Sequence, residues 1–516
     1  MARPGFVLEV DERTPPLVVH SGDAVVRQLF PLGAKVIYPP DPLPTLADVR
    51  GEIGRALDRP LGAEPLAARL RPDSMITILV EDLSVPVPSM PAPDVRGVII
   101  EEVLSRAADA GVDDVQVIAA TGLRRRLTGA ELRRLVGERV YRSFSADGLL
   151  RNHDAEDDDR LTGIGAVSDS TVRVDRRVID SDVVVVVRIA GQPAPAFDVP
   201  EGSLGHWLAA GVGSTATITG LTGPDGEAIA RLVGGAVDAF AIDAVLDNRT
   251  FGAPVEFLGR REWEWGLRDQ ARATVLRQGL ALTPSKLRRS LVNNLPGSYG
   301  VVSVVAGDPA QVADAAAETV RKQQLVEVEG QADVAVVGVP QAGPCSVGSV
   351  TNPLLAAWSG LVGTLGAATG KPVVRDRGAV IVYHPARSEF SPLHHPSYVD
   401  FFDEVLPSPS TGSGQAAATA EAFAKFADDE WYRHLYRTGH AFHGVHPFLV
   451  WAEVTAATAR LSDVVWVGGD RATVARMGFR AASSLADALE MTAASVGSDP
   501  KISYLHSPPR VLAEVT

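Results

Sequence analysis

Seven of the eleven histidines fall between His384 and His446, and the segment G-H-A-F-H-G-V-H-P places His440, His443 and His446 three residues apart, preceded by His434. Imidazoles at that spacing can face one another across a helical turn, where they bind zinc, nickel or iron or act as general bases. The alternative is a set of helix-end or buried histidines satisfied by backbone carbonyls. The interleaved Tyr436, Phe442, Phe448 and Trp451 suggest a partly buried pocket wall, or simply core. Two further segments carry groups suited to ligands. In E-D-L-S-V-P-V-P-S, Glu81–Ser89, Asp82 suits a ribose or hydroxyl and Ser84 a phosphate, or both cap the helix that follows. In A-T-G-L-R-R-R-L-T, Ala120–Thr128, Arg124 and Arg125 can clamp a carboxylate or phosphate, with at least one of the three arginines solvated. Thr128 and Glu131 mark a helix start there. The lone Cys345 lies in a glycine-rich stretch, 338–351, able to cradle an anion on backbone amides, and is either reactive or merely buried. His153 and the acidic residues 154 and 156–159 lack the glycine-turned loop of a calcium site, so they read as a solvated loop. Lysine occurs only at 35, 286, 322, 371, 425 and 501, which leaves few amines for chemistry.

The elements that must position these groups follow an α/β pattern. The aliphatic runs Met75–Asp82, Asp114–Gly122 and Asp182–Gly191 read as parallel strands buried on both faces, with residues 92–111 as a crossover helix. Ala332–Pro340, Gly378–Pro385 and Asp463–Asp470 imply a second sheet. The expected architecture is two α/β domains with mostly parallel sheets, residues 1–320 and 321–497, a ligand cleft between them, and a tail, 498–516, as a candidate to return to the first domain. Residues 211–220 and 407–414 read as loops, and 363–372 lacks the hydroxyl residue of a P-loop and reads as a turn. A net charge of −14 with scattered arginines argues against nucleic acid and anionic membranes as partners. A single cysteine excludes an intramolecular disulfide and fits a cytoplasmic setting. No zincin, nucleophile-elbow or dinucleotide-binding signature is present.

The ordered series A-L-D-R-P-L-G (56–62), E-D-x-S-x-P-x-P-S, A-T-G-L-x-R-x-x-T with E-L-x-x-L-x-G, and N-H-D (152–154) resembles the N-terminal domain of the lactate racemase family. A-G-D-P-A-Q-V-A-D-A (306–315) is similar to that family's passage into its second domain. The resemblance implies two α/β domains with the site in their cleft, and inversion of 2-hydroxy acids by a nickel pincer nucleotide with histidine bases. Carried over by position, Asp82 and Ser84 match the cofactor-binding loop, whereas Val85 replaces its arginine. The first catalytic histidine aligns with Arg124, leaving Arg125 as the matching arginine. Arginine stays protonated near neutrality and is a poor base. The cofactor-anchoring lysine is expected after the strand 182–191, but no lysine lies between 35 and 286. Only His206 stands near the place of the nickel ligand, and the substrate-side helix, 352–360, has no lysine.

The leading expectation is a divergent racemase or epimerase acting on a 2-hydroxy acid or sugar acid. Arg124, His443 and His446 are its expected catalytic residues, Asp82 and Ser84 its cofactor contacts, and Arg124 and Arg125 its carboxylate clamp. A metal falls to His206, His440 and His443. The cofactor is a nickel pincer nucleotide held non-covalently or another transition metal, and the partner a small carboxylate. The alternative is a non-catalytic homologue that binds a small anion or a protein after losing the cofactor site.

Overall fold

The computed structural model describes residues 6–168, 170–191, 203–293, 295, 297–365, 371–406 and 413–516. Val183–Ile189 sits at the heart of the first sheet and shows how the sequence builds it. Val183, Val185 and Val187 enter one apolar core and Val184 and Val186 the other, because successive side chains of a strand point to opposite faces. Its neighbours extend outward in the order Val301–Gly307, Ala239–Leu246, Val183–Ile189, Met75–Glu81, Asp114–Ala120, Leu150–Asn152. All pair in parallel except Val301–Gly307, which runs antiparallel to Ala239–Leu246. The crossover helix is Val95–Asp109, with Asp94 capping the Arg96 amide at 3.0 Å and Val95, Ile99 and Val103 packed on the sheet. It ends where Gly111 takes φ +74, a conformation open to glycine at little cost.

The second sheet runs Val7–Glu9, Lys35–Ile37, Ile502–Leu505, Ala332–Pro340, Val374–Tyr383, Asp463–Val467, Arg480–Ala482. A hairpin, Leu17–Gly22 with Ala24–Gln28, joins the end of Ala332–Pro340. Val334 and Val336 face one core, and Ala335, Val337 and Val339 the other. The α/β class with mostly parallel sheets is as expected, but the chain ends are not. The division at residue 320 assigns the first forty residues to the first domain, whereas the strands between Val7 and Ile37 hydrogen-bond in the second sheet. The tail divides as well. Ile502–Leu505 lies inside the second sheet and Leu512–Val515 pairs with Leu325–Val328, while between them Arg510 reaches the Gly191 carbonyl of the first domain. Local patterns mark strands but not distant partners, so pairings between chain ends are invisible to them.

No helix among the described residues is long and apolar enough to cross a membrane. The expected loop 211–220 is helical, as Leu204–Val212 and Thr215–Gly220. A helix begins at Ser413 inside the expected loop 407–414, whose residues 407–412 lie outside the described residues, as do 366–370 of the expected turn.

Candidate functional site

The strand Met75–Glu81 delivers Asp82 to the boundary between the two sheets, where its carboxylate is shared. One oxygen accepts from the Ser84 amide at 2.9 Å and from the Ser84 hydroxyl. The other accepts from Arg124 Nε at 2.7 Å, both side chains being nearly inaccessible to water. Neither Asp82 nor Ser84 caps the following helix, since Asp94 does so. Arg96 completes this corner, and its identity escaped the sequence reading. Wholly buried, it pairs with Asp94 at 2.8 Å and donates to the Asp82 carbonyl at 2.6 Å. The only hint was an arginine two positions after a helix-capping aspartate. Burial pushes the neighbouring Glu81 carboxyl up to about 7 despite Arg96 and an amide bond from Ile189.

Arg125 is as firmly committed as Arg124. It forks onto Glu131 at 2.9 and 2.5 Å and donates to the Val347 carbonyl of the second domain at 2.6 Å. Burial raises the Glu131 carboxyl, but Arg125 outweighs it and holds the group below the ordinary range. Glu131 also forms the expected capping box with Thr128. Arg126 is the most exposed of the three, and its guanidinium donates to the Arg437 carbonyl. The N-H-D segment is scaffold. The Asn152 amide bridges the Leu127 backbone at 2.9 and 3.0 Å, and His153 Nε2 donates to the Gly213 carbonyl at 2.8 Å.

The histidine-rich segment packs onto this loop. Tyr436 donates to the Gly122 carbonyl at 2.6 Å and accepts from the Ala155 amide at 3.0 Å. The His443 amide donates to the Leu123 carbonyl at 3.0 Å, and His440 Nδ1 donates to the Arg126 carbonyl at 3.0 Å. His443 Nδ1 accepts from the Val445 amide, so its Nε2 donates to Glu156 at 3.1 Å. Burial raises Glu156, and the bonds from His443 and Thr215 outweigh it, keeping it ionised. His446 Nδ1 lies 2.6 Å from the Tyr398 hydroxyl, and Nε2 has no hydrogen-bond partner among the described residues. Burial, then the charges of Arg124, His443 and His395, hold His446 far below its ordinary value, so it is neutral.

The three-residue spacing does not place these imidazoles on one helical face. The helix Glu430–Thr438 stops before Gly439, and the next begins only at His446, just before Pro447, so His440 and His443 lie on irregular chain. His206 sits apart, in the first turn of Leu204–Val212, with Nδ1 3.0 Å from the Ser203 hydroxyl. His206, His440 and His443 therefore each have a different partner, and no group of three His, Cys, Asp or Glu among the described residues is placed to hold a metal. The stretch 192–202, where the resemblance expects an anchoring segment, lies outside the described residues. Cys345 is buried, which pushes its thiol up to about 12 and leaves it protonated.

On the other side of the same boundary lies a cavity of about 390 Å³ that the sequence reading did not locate. Its walls come from carboxyl ends of strands in both sheets: Val87 and Pro88 after Met75–Glu81, Asn248 and Phe251 after Ala239–Leu246, and Pro340 and Gly343 at the end of Ala332–Pro340. Such crevices are where open α/β sheets bind ligands. None of Asp82, Ser84, Arg124, Arg125, His443 or His446 lines it.

Residues 29–191 match the family model of the lactate racemase N-terminal domain. Among solved structures, the lactate racemase apoprotein from Thermoanaerobacterium thermosaccharolyticum aligns with a TM-score of 0.60 at 15% identity, covering 96% of this chain and 99% of that one. A protein from Thermotoga maritima aligns with a TM-score of 0.47 at 10% identity, covering 93% of this chain and 100% of that one. A search of curated proteins found no match.

Proposed function

We infer that this chain, which resembles lactate racemase over residues 29–191 and in its fold, binds a small organic molecule in the cavity between its sheets without inverting it by hydride transfer. The observation that carries this reading is the buried ion pair that locks Arg124, the residue that the resemblance aligns with the family's first histidine base, onto Asp82. A guanidinium cannot take a hydroxyl proton near neutrality, and this one is held by the carboxylate that the resemblance gives to the cofactor. A lysine-anchored nickel pincer nucleotide does not fit the residues present. No lysine lies between 35 and 286, Asp82 is engaged by Arg124 and Ser84, and His206 bonds Ser203 rather than meeting other metal donors. Fold alone does not carry the activity. The cavity supplies what a ligand site needs: a partly enclosed, mostly apolar volume at strand ends with a few polar side chains, among them Asn248 and Tyr299.

The test is chiral chromatography of D- and L-2-hydroxy acids after incubation with the full chain, with and without added nickel pincer nucleotide, together with Arg124→His. No inversion by the unmodified chain is expected. Inversion abolished by His446→Ala would instead establish the second reading, a divergent racemase or epimerase of a hydroxy or sugar acid that uses His443, His446 and Arg124. That reading is favoured by the buried, neutral His446, whose Nε2 has no hydrogen-bond partner.

A further inference from the structure

The helices Leu267–Leu282 and Ser285–Asn293 are held in an unusual way. The first buries only Asp269 and Ala273, and the second buries nothing. A surface helix is ordinarily fixed by an apolar stripe pressed on the core. Here the tethers visible on the second helix are polar: Arg288 pairs with the buried Asp23 at 2.8 Å, Arg289 pairs with Glu389, and Asn293 donates to the Ser349 carbonyl at 2.7 Å. Leu276, which also packs against the small cluster around Val255 and Leu258, and Leu280 line the cavity, opposite Phe251, with the half-exposed Leu291 at its edge. Protein interiors are close-packed and hold few voids larger than a water molecule, and a void walled by hydrocarbon stays dry and takes up apolar molecules.

We propose that the cavity takes a ligand with an extended aliphatic or aromatic body, larger than a three-carbon hydroxy acid, which completes the core beneath the helix pair 267–293. This rests on the reading of the cavity as the ligand site and adds the chemistry of the occupant. The wall asks for buried hydrocarbon. A three-carbon acid offers too little apolar surface to fill it, and the few polar side chains of the lining, among them His20, Asn248 and Arg510, leave most of the wall to hydrocarbon.

The experiment titrates the full chain with the fluorescent probe anilinonaphthalene sulfonate and displaces it with decanol or with lactate. Expected is saturable one-to-one binding that decanol displaces and lactate does not. Leu280→Trp, which fills the cavity, weakens binding by roughly tenfold or more. Leu282→Ser, on the exposed side of the same helix and outside the cavity lining, leaves binding unchanged. Leu276→Trp repeats the filling from another wall residue, and circular dichroism checks that each variant is folded. Equal weakening by Leu282→Ser, or full binding to both folded tryptophan variants, overturns the proposal by placing the probe on the surface. Lactate that raises Tm in the unmodified chain but not in Leu280→Trp, with no effect of decanol, overturns the proposal and leaves the cavity as the ligand site. Failure of both ligands to bind overturns the two together.

Discussion

Where the strand Asp114–Ala120 ends, the loop 121–126 is gripped by the second domain through Tyr436, His440, His443 and Val347, and its two inner arginines are closed into ion pairs. Where the strand Ala239–Leu246 ends, segments from both sheets line a mostly apolar hollow, covered by helices that bury few residues. The two sides share a boundary but divide its tasks. On the polar side these arginines and their carboxylates are paired within the chain and hold the two sheets together, and His446 Nε2 is left without a hydrogen-bond partner among the described residues. The hollow side has unspent apolar surface and lightly held walls, as a ligand site requires.

Acidification is the severest way to break this contrast. Burial is the main cause holding His394 at about 4, His395 at about 3 and His446 far below its ordinary value, with Arg124, Arg125, His440 and His443 among the groups facing them. Their folded values lie below the unfolded value of 6.5, so their contribution is intact above pH 6.5 and is lost as pH falls from 6.5 toward 4. Tm is therefore expected to drop steeply over that window. Glu81 opposes this. Raised to about 7, it contributes fully below its unfolded value of 4.5 and loses that contribution as pH rises through 7, so Glu81→Gln steepens the acid loss. A Tm independent of pH between 6.5 and 4 would mean that the histidine side is solvated.

Next in size is Asp82→Ala, which strands the Arg124 guanidinium in a buried site and is expected to cost about 3–5 kcal/mol in urea denaturation. Adding Arg124→Leu should restore much of the loss, because an apolar pair does not have to be desolvated. Tyr436→Phe removes the donor to Gly122 and the acceptor for Ala155, at about 1–3 kcal/mol. The smallest effect is expected on the hollow side, where Leu280→Ala should cost less than about 1 kcal/mol, since the side chain touches little core. If Leu280→Ala cost as much as Tyr436→Phe, the two sides would not differ in packing.

The strands were legible because Met75–Glu81 and Val183–Ile189 are unbroken aliphatic runs, and the capping box at Thr128 was legible because its two residues lie three apart. The joining of Val7–Glu9, Lys35–Ile37 and Ile502–Leu505 into one sheet was not, since hydrogen bonds between chain ends leave no local period. Among candidate site residues, types and neighbourhoods were visible but commitments were not. Arg124 and Arg125 look like an anion clamp until Asp82 and Glu131, 42 and 6 residues away, are seen to occupy them. The spacing of His440, His443 and His446 suggested one helical face, but the chain between Gly439 and His446 is not helical. The cavity escaped because its walls come from many separate segments, from His20 to Arg510, whose leucines individually look like ordinary core.

The most direct measurement is native and denaturing mass spectrometry, with elemental analysis, of the full chain purified from its own host. The account predicts a denatured mass equal to that of the bare chain, no stoichiometric nickel, and a non-covalent organic molecule retained in the native spectrum and released on unfolding. Stoichiometric nickel accompanied by a nucleotide would contradict it, returning the chemistry to the side where Arg124 and Asp82 meet.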